Sequence, residues 1–247
     1  ANIVWDNPEF VHLNSQYMNN SPNTHISWNF KTAAGFFDIV SYNGTGTNPQ
    51  AFNHNLGVVP EMMIVKKRNY NQNWWVYHSA LGNTGRLEFN DTVDAISNST
   101  DWGSTTPTSS VFYVGNNTND NSGGSKYIAL LFASCPGVSK VGTYSGDTGN
   151  NVDVDCGFTS NARFVMIKRT NNEITTPSQE ETNWWIFDEN LGITSGNDYV
   201  MQANTADPRV TANWLSPHPD NKGFRVNSGA IAALNATGGT YIFLAIA

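Results

Sequence analysis

The chain has 247 residues, and only 13% of them are charged; 13 basic against 20 acidic side chains give a formal net charge of −7. That balance excludes a long charged helix or coiled coil, which needs far more Glu, Lys and Arg. It also excludes a sequence-independent nucleic-acid binder, which needs a basic surface. With 39% apolar and 12% aromatic residues the chain can build cores, and no stretch approaches the roughly 20 apolar residues of a membrane span. Asn fills 34 positions, and Asn, Gly, Ser and Thr are turn formers. The composition is that of many short strands joined by many turns.

In chain order, strands are predicted at Phe36 to Tyr42 (FFDIVSY), Met62 to Lys67 (MMIVKK), Asn73 to His78 (NWWVYH), Ser110 to Val114 (SVFYV) and Tyr127 to Ala133 (YIALLFA). Each is β-branched or aromatic and bounded by Asn, Gly, Pro or Ser. The continuous apolar character of the last marks a strand buried on both faces. No convincing helical periodicity is present.

A long repeat organises these runs. Tyr42-Asn43-Gly44 returns as Tyr144-Ser145-Gly146, and Val65-Lys66-Lys67 as Ile167-Lys168-Arg169, both offset by 102. Asn73-Trp74-Trp75-Val76-Tyr77 returns as Asn183-Trp184-Trp185-Ile186-Phe187, offset by 110, after an insertion at 171–182. Gly124 to Ala133 matches Gly239 to Ala247. Backwards, Phe10 matches Phe112, and Ile26 to Phe30 matches Ile128 to Phe132. The expectation is all-β: tandem β-sandwich, jelly-roll-like modules at 32–134 and 135–247. Residues 1–31 read as the trailing strands of an earlier copy, or as an N-terminal extension. On that reading the chain is expected to open inside a module and to be part of something longer.

Strand parity makes a sharper prediction. Trp74 with Val76, and Trp184 with Ile186, share one face, and the β-branched member is taken to mark the core. That leaves Trp75, Tyr77, Trp185 and Phe187 on the other face, as candidate contacts with a glycan or a second subunit. Trp102 and Trp214 hold equivalent places and are expected to play one structural role twice.

Together, ISWNFK, GFFDIVSYNGTG, HNLGVVPEMMIVKKR, NWWVYHSALGN, SGGSKYIALLFA and GVSKVGTYSGDTG resemble a tandem module of marine bacteriophage virion proteins, structural or tail-fibre-like. The second copy departs from it, with Cys156-Gly157-Phe158-Thr159 in place of His-Asn-Leu-Gly and Ala162 in place of Pro60. The resemblance implies a place on the virion, partners among other virion proteins and a homo-oligomer, with a trimer as the guess. A host cell-surface glycan is a further partner. No catalytic residue, cofactor or metal comes with it, and neither nucleic acid nor a membrane span is expected. A secreted carbohydrate-binding or carbohydrate-cleaving sandwich and a capsid decoration protein are the alternatives.

Chemistry is thin elsewhere. His12, His25, His54, His78 and His218 form no metal-spaced pair. Asp153 and Asp155 share a strand face, and Asp91 with Asp94 or Asn119 with Asp120 sit in turns, but calcium needs further oxygen ligands. Among Asp38, Glu61, Glu88 and Asp188 no spacing singles out a glycosidase pair. Cys135 and Cys156 are close enough in sequence to bridge, and sequence leaves the question open.

Overall fold

The structure, a computed structural model, describes residues 26–98, 100–171, 183–205 and 207–247 in full, and the backbone of 2–7 and 10–14. The side chains of Trp5, Phe10 and His12, residue His25 and the 172–182 insertion lie outside the described residues. The chain divides into two compact units, Ala1–Lys31 and Thr32–Ala247. In the first, β1 (Asn2–Asn7) pairs antiparallel with β2 (Phe10–Asn14). Ile26 to Phe30, which matches a central strand in sequence, is in no strand. A central strand satisfies its backbone on two neighbours, and no described strand of this unit flanks that segment.

The second unit is all-β and built twice. The first copy contains β3 (Phe37–Asn43), β4 (Gln50–Asn53), β5 (Met62–Lys67), β6 (Trp75–His78), β7 (Gly85–Glu88), β8 (Ile96–Ser97), β9 (Val111–Val114) and β10 (Lys126–Phe132). The second contains β11 (Ser139–Ser145), β12 (Val152–Asp155), β13 (Phe164–Arg169), β14 (Trp184–Asp188), β15 (Asp198–Gln202), β16 (Val210–Ala212), β17 (Leu215–Pro217), β18 (Gly223–Val226) and β19 (Thr240–Ile246). The two large sheets have matching orders, β3-β10-β5-β6-β7-β8 and β11-β19-β13-β14-β15-β16. Over each lies a small sheet, β4-β9 in the first copy and β12-β18-β17 in the second. The sequence repeat is therefore a repeat of topology, and the five predicted runs are strands to within two residues.

Register is repeated too. Tyr127 on β10 faces Tyr42 on β3, and Tyr241 on β19 faces Tyr144 on β11. The rings stack at 5.1 Å and 13° in one copy and 4.7 Å and 8° in the other. Tyr42 donates its hydroxyl to Asp120 O (2.6 Å) and Tyr144 to Leu234 O (2.8 Å), tying both edge strands to the loop before the last strand. Next to that acceptor an Asn acts as a peg. Asn121 Nδ2 donates to Gly115 O (2.7 Å) and accepts from Thr45 N at its Oδ1 (2.8 Å). Asn235 Nδ2 donates to Asn227 O (3.2 Å) and accepts from Asp147 N (2.7 Å).

Each sandwich core lies between its large and small sheets. In the first copy Tyr42, Val65, Trp75, Tyr77 and Tyr127 meet Phe112 and Val114 of β9. In the second Ile167, Trp185, Phe187, Tyr241 and Phe243 meet Val154, Phe224 and Val226. This corrects the parity prediction. Trp75, Tyr77, Trp185 and Phe187 are core residues, each no more than 3% exposed, and face neither solvent nor a second subunit. The β-branched member was a poor marker because both faces of these strands are buried, so alternation alone does not distinguish them. The bulky rings fill the space between the unequal sheets.

The centres of the opposite faces of the large sheets are buried as well, while Ile39 on β3 and Tyr199 on β15 stay exposed there. Met62, Ile64, Val76 and Leu87 in the first copy, and Met166, Trp184, Ile186, Ile242 and Leu244 in the second, are covered, yet belong to neither sandwich core. They form a seam between the copies. Trp184 Nε1 donates across it to Glu88 O (2.9 Å), and its ring lies 5.2 Å from that of Phe89. Lys168 Nζ donates to Thr92 O (3.2 Å), and Ala95 N to Thr170 O (3.3 Å). Burial holds the Lys168 ammonium down to about 8, against the attraction of Asp94 and Asp91 from the first copy. The seam yields a prediction: Trp184→Ala removes a buried indole and its hydrogen bond and costs roughly 3–5 kcal/mol. Trp74→Ala, at the equivalent but half-buried position, costs clearly less. Denaturant unfolding of the two variants checks the order, and equal losses would remove the seam as a main source of stability.

Candidate functional site

A cleft of about 520 Å³ lies on the second copy alone. Its walls include Asn151, Asn213, Trp214, Ser216, Arg225 and Asn227. Strand alternation places it. Phe224 and Val226 of β18 point into the core, so Arg225 between them points outward. On β12 the same rule turns Val154 inward and Asp153 outward. Arg225 and Asp153 face each other in the ladder and form a bidentate pair, Nε to Oδ1 at 2.6 Å and Nη2 to Oδ2 at 2.9 Å. The Arg225 hydrogen bond holds the Asp153 carboxyl below its ordinary value.

The other walls are fixed by a polar network. Asn227 Nδ2 donates to Asn213 Oδ1 (2.7 Å), Ser216 Oγ donates to Asn227 Oδ1 (2.8 Å), and Ser228 N donates to Asn151 Oδ1 (2.8 Å). Trp214, half-buried, packs edge-on against Trp185 at 5.1 Å and 85°. Core packing thus sets the aromatic wall, and main-chain-anchored amides set the polar ones.

The first copy shows why the cleft is not duplicated. Trp102 packs on Trp75 and Tyr77 as Trp214 packs on Trp185, but it is fully buried and donates Nε1 to Gly85 O (2.9 Å). The shared structural role is real; the exposure differs. The repeat register puts Gly115 where the second copy has Asn227, and Pro49 where it has Asn151. A Cβ on Gly115 would lie 1.7 Å from Thr100 O, and one on Gly103 would lie 2.5 Å from Pro49 Cβ. The segment around Trp102 therefore closes down on a side-chain-free backbone. In the second copy Asn227 bonds the corresponding segment through Asn213 and Ser216, and that segment runs on as β17 beside β18. Sequence reasoning missed this cleft, although the Gly115/Asn227 and Pro49/Asn151 differences were visible once the copies were aligned.

The first copy spends the same region on buried charge. Arg86 pairs with Asp101 and stacks over Trp75, 4.4 Å from its centroid. Asp120 accepts from Gly115 N (2.8 Å). One oxygen each of Asp101 and Asp120 is buried without a hydrogen-bond partner. At the equivalent places the second copy has Val200, Asn213 and Leu234, so the fold does not require this cluster. Burial, reinforced by Asp101, raises the Asp120 carboxyl to about 7 despite the Gly115 hydrogen bond.

Most of the other described sequence candidates are occupied locally. His54, His78 and His218 each accept, at Nδ1, a backbone N–H two residues on; burial lowers His78 to about 4. Asp38, Glu61 and Asp188 accept backbone N–H groups, and Glu88 accepts from Asn73. Asp155 accepts from Gly157 N (2.7 Å). Among the described residues no group of three His, Cys, Asp or Glu side chains is placed to hold a metal. Both cysteines are free thiols, and burial pushes Cys156 up to about 12.

Fold and site together define a duplicated β-sandwich protein with a ligand-sized polar cleft on its second copy. The chain belongs to a family described as a domain of unknown function, DUF7483, which matches residues 9–247. No curated protein matches it, and no solved structure does.

The Asp120 environment gives a pH prediction. A carboxyl raised from 3.8 to about 7 contributes stability below its unfolded value, and that contribution is lost as pH rises through about 7. His78 acts with the opposite sign, losing stability as pH falls from its unfolded value near 6.5 toward about 4. The difference between variant and parent isolates the carboxyl. Asp120→Asn gains stability relative to the parent, on the order of a few kcal/mol, as pH rises from about 5 to 8. A pH-independent difference in urea midpoint would sink this.

Proposed function

We propose that the chain is a non-enzymatic structural protein of a bacteriophage particle, part of a tail fibre or surface appendage that serves assembly and attachment to the host surface. The observation that carries the reading is the seam. Two copies of one sandwich bury the backs of their large sheets on each other, which makes a stiff tandem unit suited to an extended appendage. The resemblance of the whole chain to virion modules supports it. So does the low charge, because strands buried on both faces leave few places for charged side chains. The homo-oligomer this reading includes forms through surfaces other than Trp75, Tyr77, Trp185 and Phe187, which the cores occupy. A secreted carbohydrate-binding module is the second reading, favoured by the cleft beside Trp214.

The test is particle association. Particles purified from a culture producing the chain are analysed by mass spectrometry and by immunogold microscopy with antibody against residues 32–247. Label on tails or appendages is expected. Label over the shell would make it a decoration protein, and a chain found only free in the medium would overturn the virion reading.

A further inference from the structure

We propose that the second-copy cleft binds a neutral carbohydrate, with one pyranose ring against Trp214 and its hydroxyls bonded to the surrounding amides and to Arg225. This deepens the attachment part of the reading above and rests on it only for biological setting.

The cleft's chemistry selects the ligand class. At about 520 Å³ it falls within the range of small-ligand sites, but most such sites are lined largely by apolar groups, whereas this one has a single aromatic wall among Asn, Ser and Arg. A pyranose has the complementary build: an apolar C–H face that packs on an indole, and a fringe of hydroxyls that each donate and accept. Asn amides both donate and accept in fixed directions, and Arg225 has five N–H donors of which Asp153 takes two. Charge argues for neutrality. Arg225 is compensated by Asp153, and the other walls are uncharged, so neither a phosphate nor a carboxylate finds an unpaired cation.

Pre-organisation supports the assignment. Asn151, Asn213, Ser216 and Asn227 are already hydrogen-bonded to one another or to backbone, so little side-chain freedom is lost on binding. The first copy is the internal control. It keeps the tryptophan but has Pro49, Ala51, Tyr113 and Gly115 in place of Asn151, Asp153, Arg225 and Asn227. Asn151, Asp153, Arg225 and Asn227 are thus confined to the copy whose tryptophan is open.

The experiment titrates the full 247-residue chain with neutral di- and trisaccharides of glucose, galactose, mannose and N-acetylglucosamine, with sialyllactose as the anionic probe. Calorimetry and tryptophan fluorescence are the readouts. At least one neutral probe is expected to bind, and Trp214→Ala to weaken it at least about tenfold. Because Trp214→Ala also removes a contact to Trp185, Gly229→Phe provides a second variant. A Cβ at Gly229 meets nothing within 4 Å, so the ring occupies the cleft without disturbing the fold, and binding is lost at unchanged melting temperature. Trp102→Phe leaves binding unchanged. No binding of any neutral probe at millimolar concentration, tighter binding of sialyllactose, or binding indifferent to Gly229→Phe would overturn the proposal. Particle association is measured separately, so either reading can fail alone.

Discussion

Neither large sheet has a wet central face. An antiparallel sheet commonly packs one side and exposes the other; here the inner side meets a small sheet and the outer side meets the other copy. Most other features follow from this double burial. Charged side chains are scarce because strand centres have no solvent side to hold them, and those that remain are managed individually. Lys168 is fully buried and placed beside Asp91 and Asp94 of the other copy. Trp184 buries its ring at the seam and satisfies its N–H on Glu88 O, where an unpaired donor would be costly. Breaking the seam would expose apolar strands of both copies at once, which is why the copies behave as one body from Thr32 to Ala247.

The same constraint set the limit of what the sequence could reveal. Topology was legible because a repeat with constant offsets imposes the same strand order twice, and the facing pairs Tyr42–Tyr127 and Tyr144–Tyr241 sit at matching positions. The inward face was not legible. In NWWVYH and NWWIFD both alternate sets are apolar, and period-2 patterning identifies a core only when the other set is polar. Taking Val76 and Ile186 as core markers inverted the answer. What decides it is which neighbour each face meets: Trp75, Tyr77, Trp185 and Phe187 pack in the sandwich cores, while Val76, Ile186, Leu87 and Trp184 lie on the seam side.

Asparagine illustrates the other side of legibility. Its abundance pointed to turns, but several of these residues are connectors. Asn73 with Asn90, and Asn183 with Asn204, form side-chain pairs at 3.0 and 2.8 Å that fasten the start of β6 and β14 to the following strand. Asn121 and Asn235 peg the loop before the last strand. A buried amide can bridge two backbone segments without a charge to desolvate, which suits a protein with so little solvent-facing strand. Asn227 differs in kind. Its counterpart in the first copy is Gly115, which has no side chain, whereas Asn227 bonds Asn213 and Ser216.

Duplication explains how one fold carries two different local chemistries. The stacked tyrosines, the Asn pegs and the tryptophan on the aromatic core are common to both copies and therefore belong to the framework. What differs was free to differ. The first copy places Arg86, Asp101 and Asp120 where the second has Val200, Asn213 and Leu234, while the second opens a cleft where the first is sealed. The seam also decides where such variation can matter. With the centres of both large-sheet backs buried, the polar cleft lies on the outward face of a small sheet and the loops around it. The facing outward pair of β12 and β18 is Asp153 and Arg225, whereas the equivalent pair of β4 and β9 is Ala51 and Tyr113. The Asp153–Arg225 pair is therefore found on the second copy's small sheet alone, beside Trp214, the open member of the Trp102/Trp214 pair.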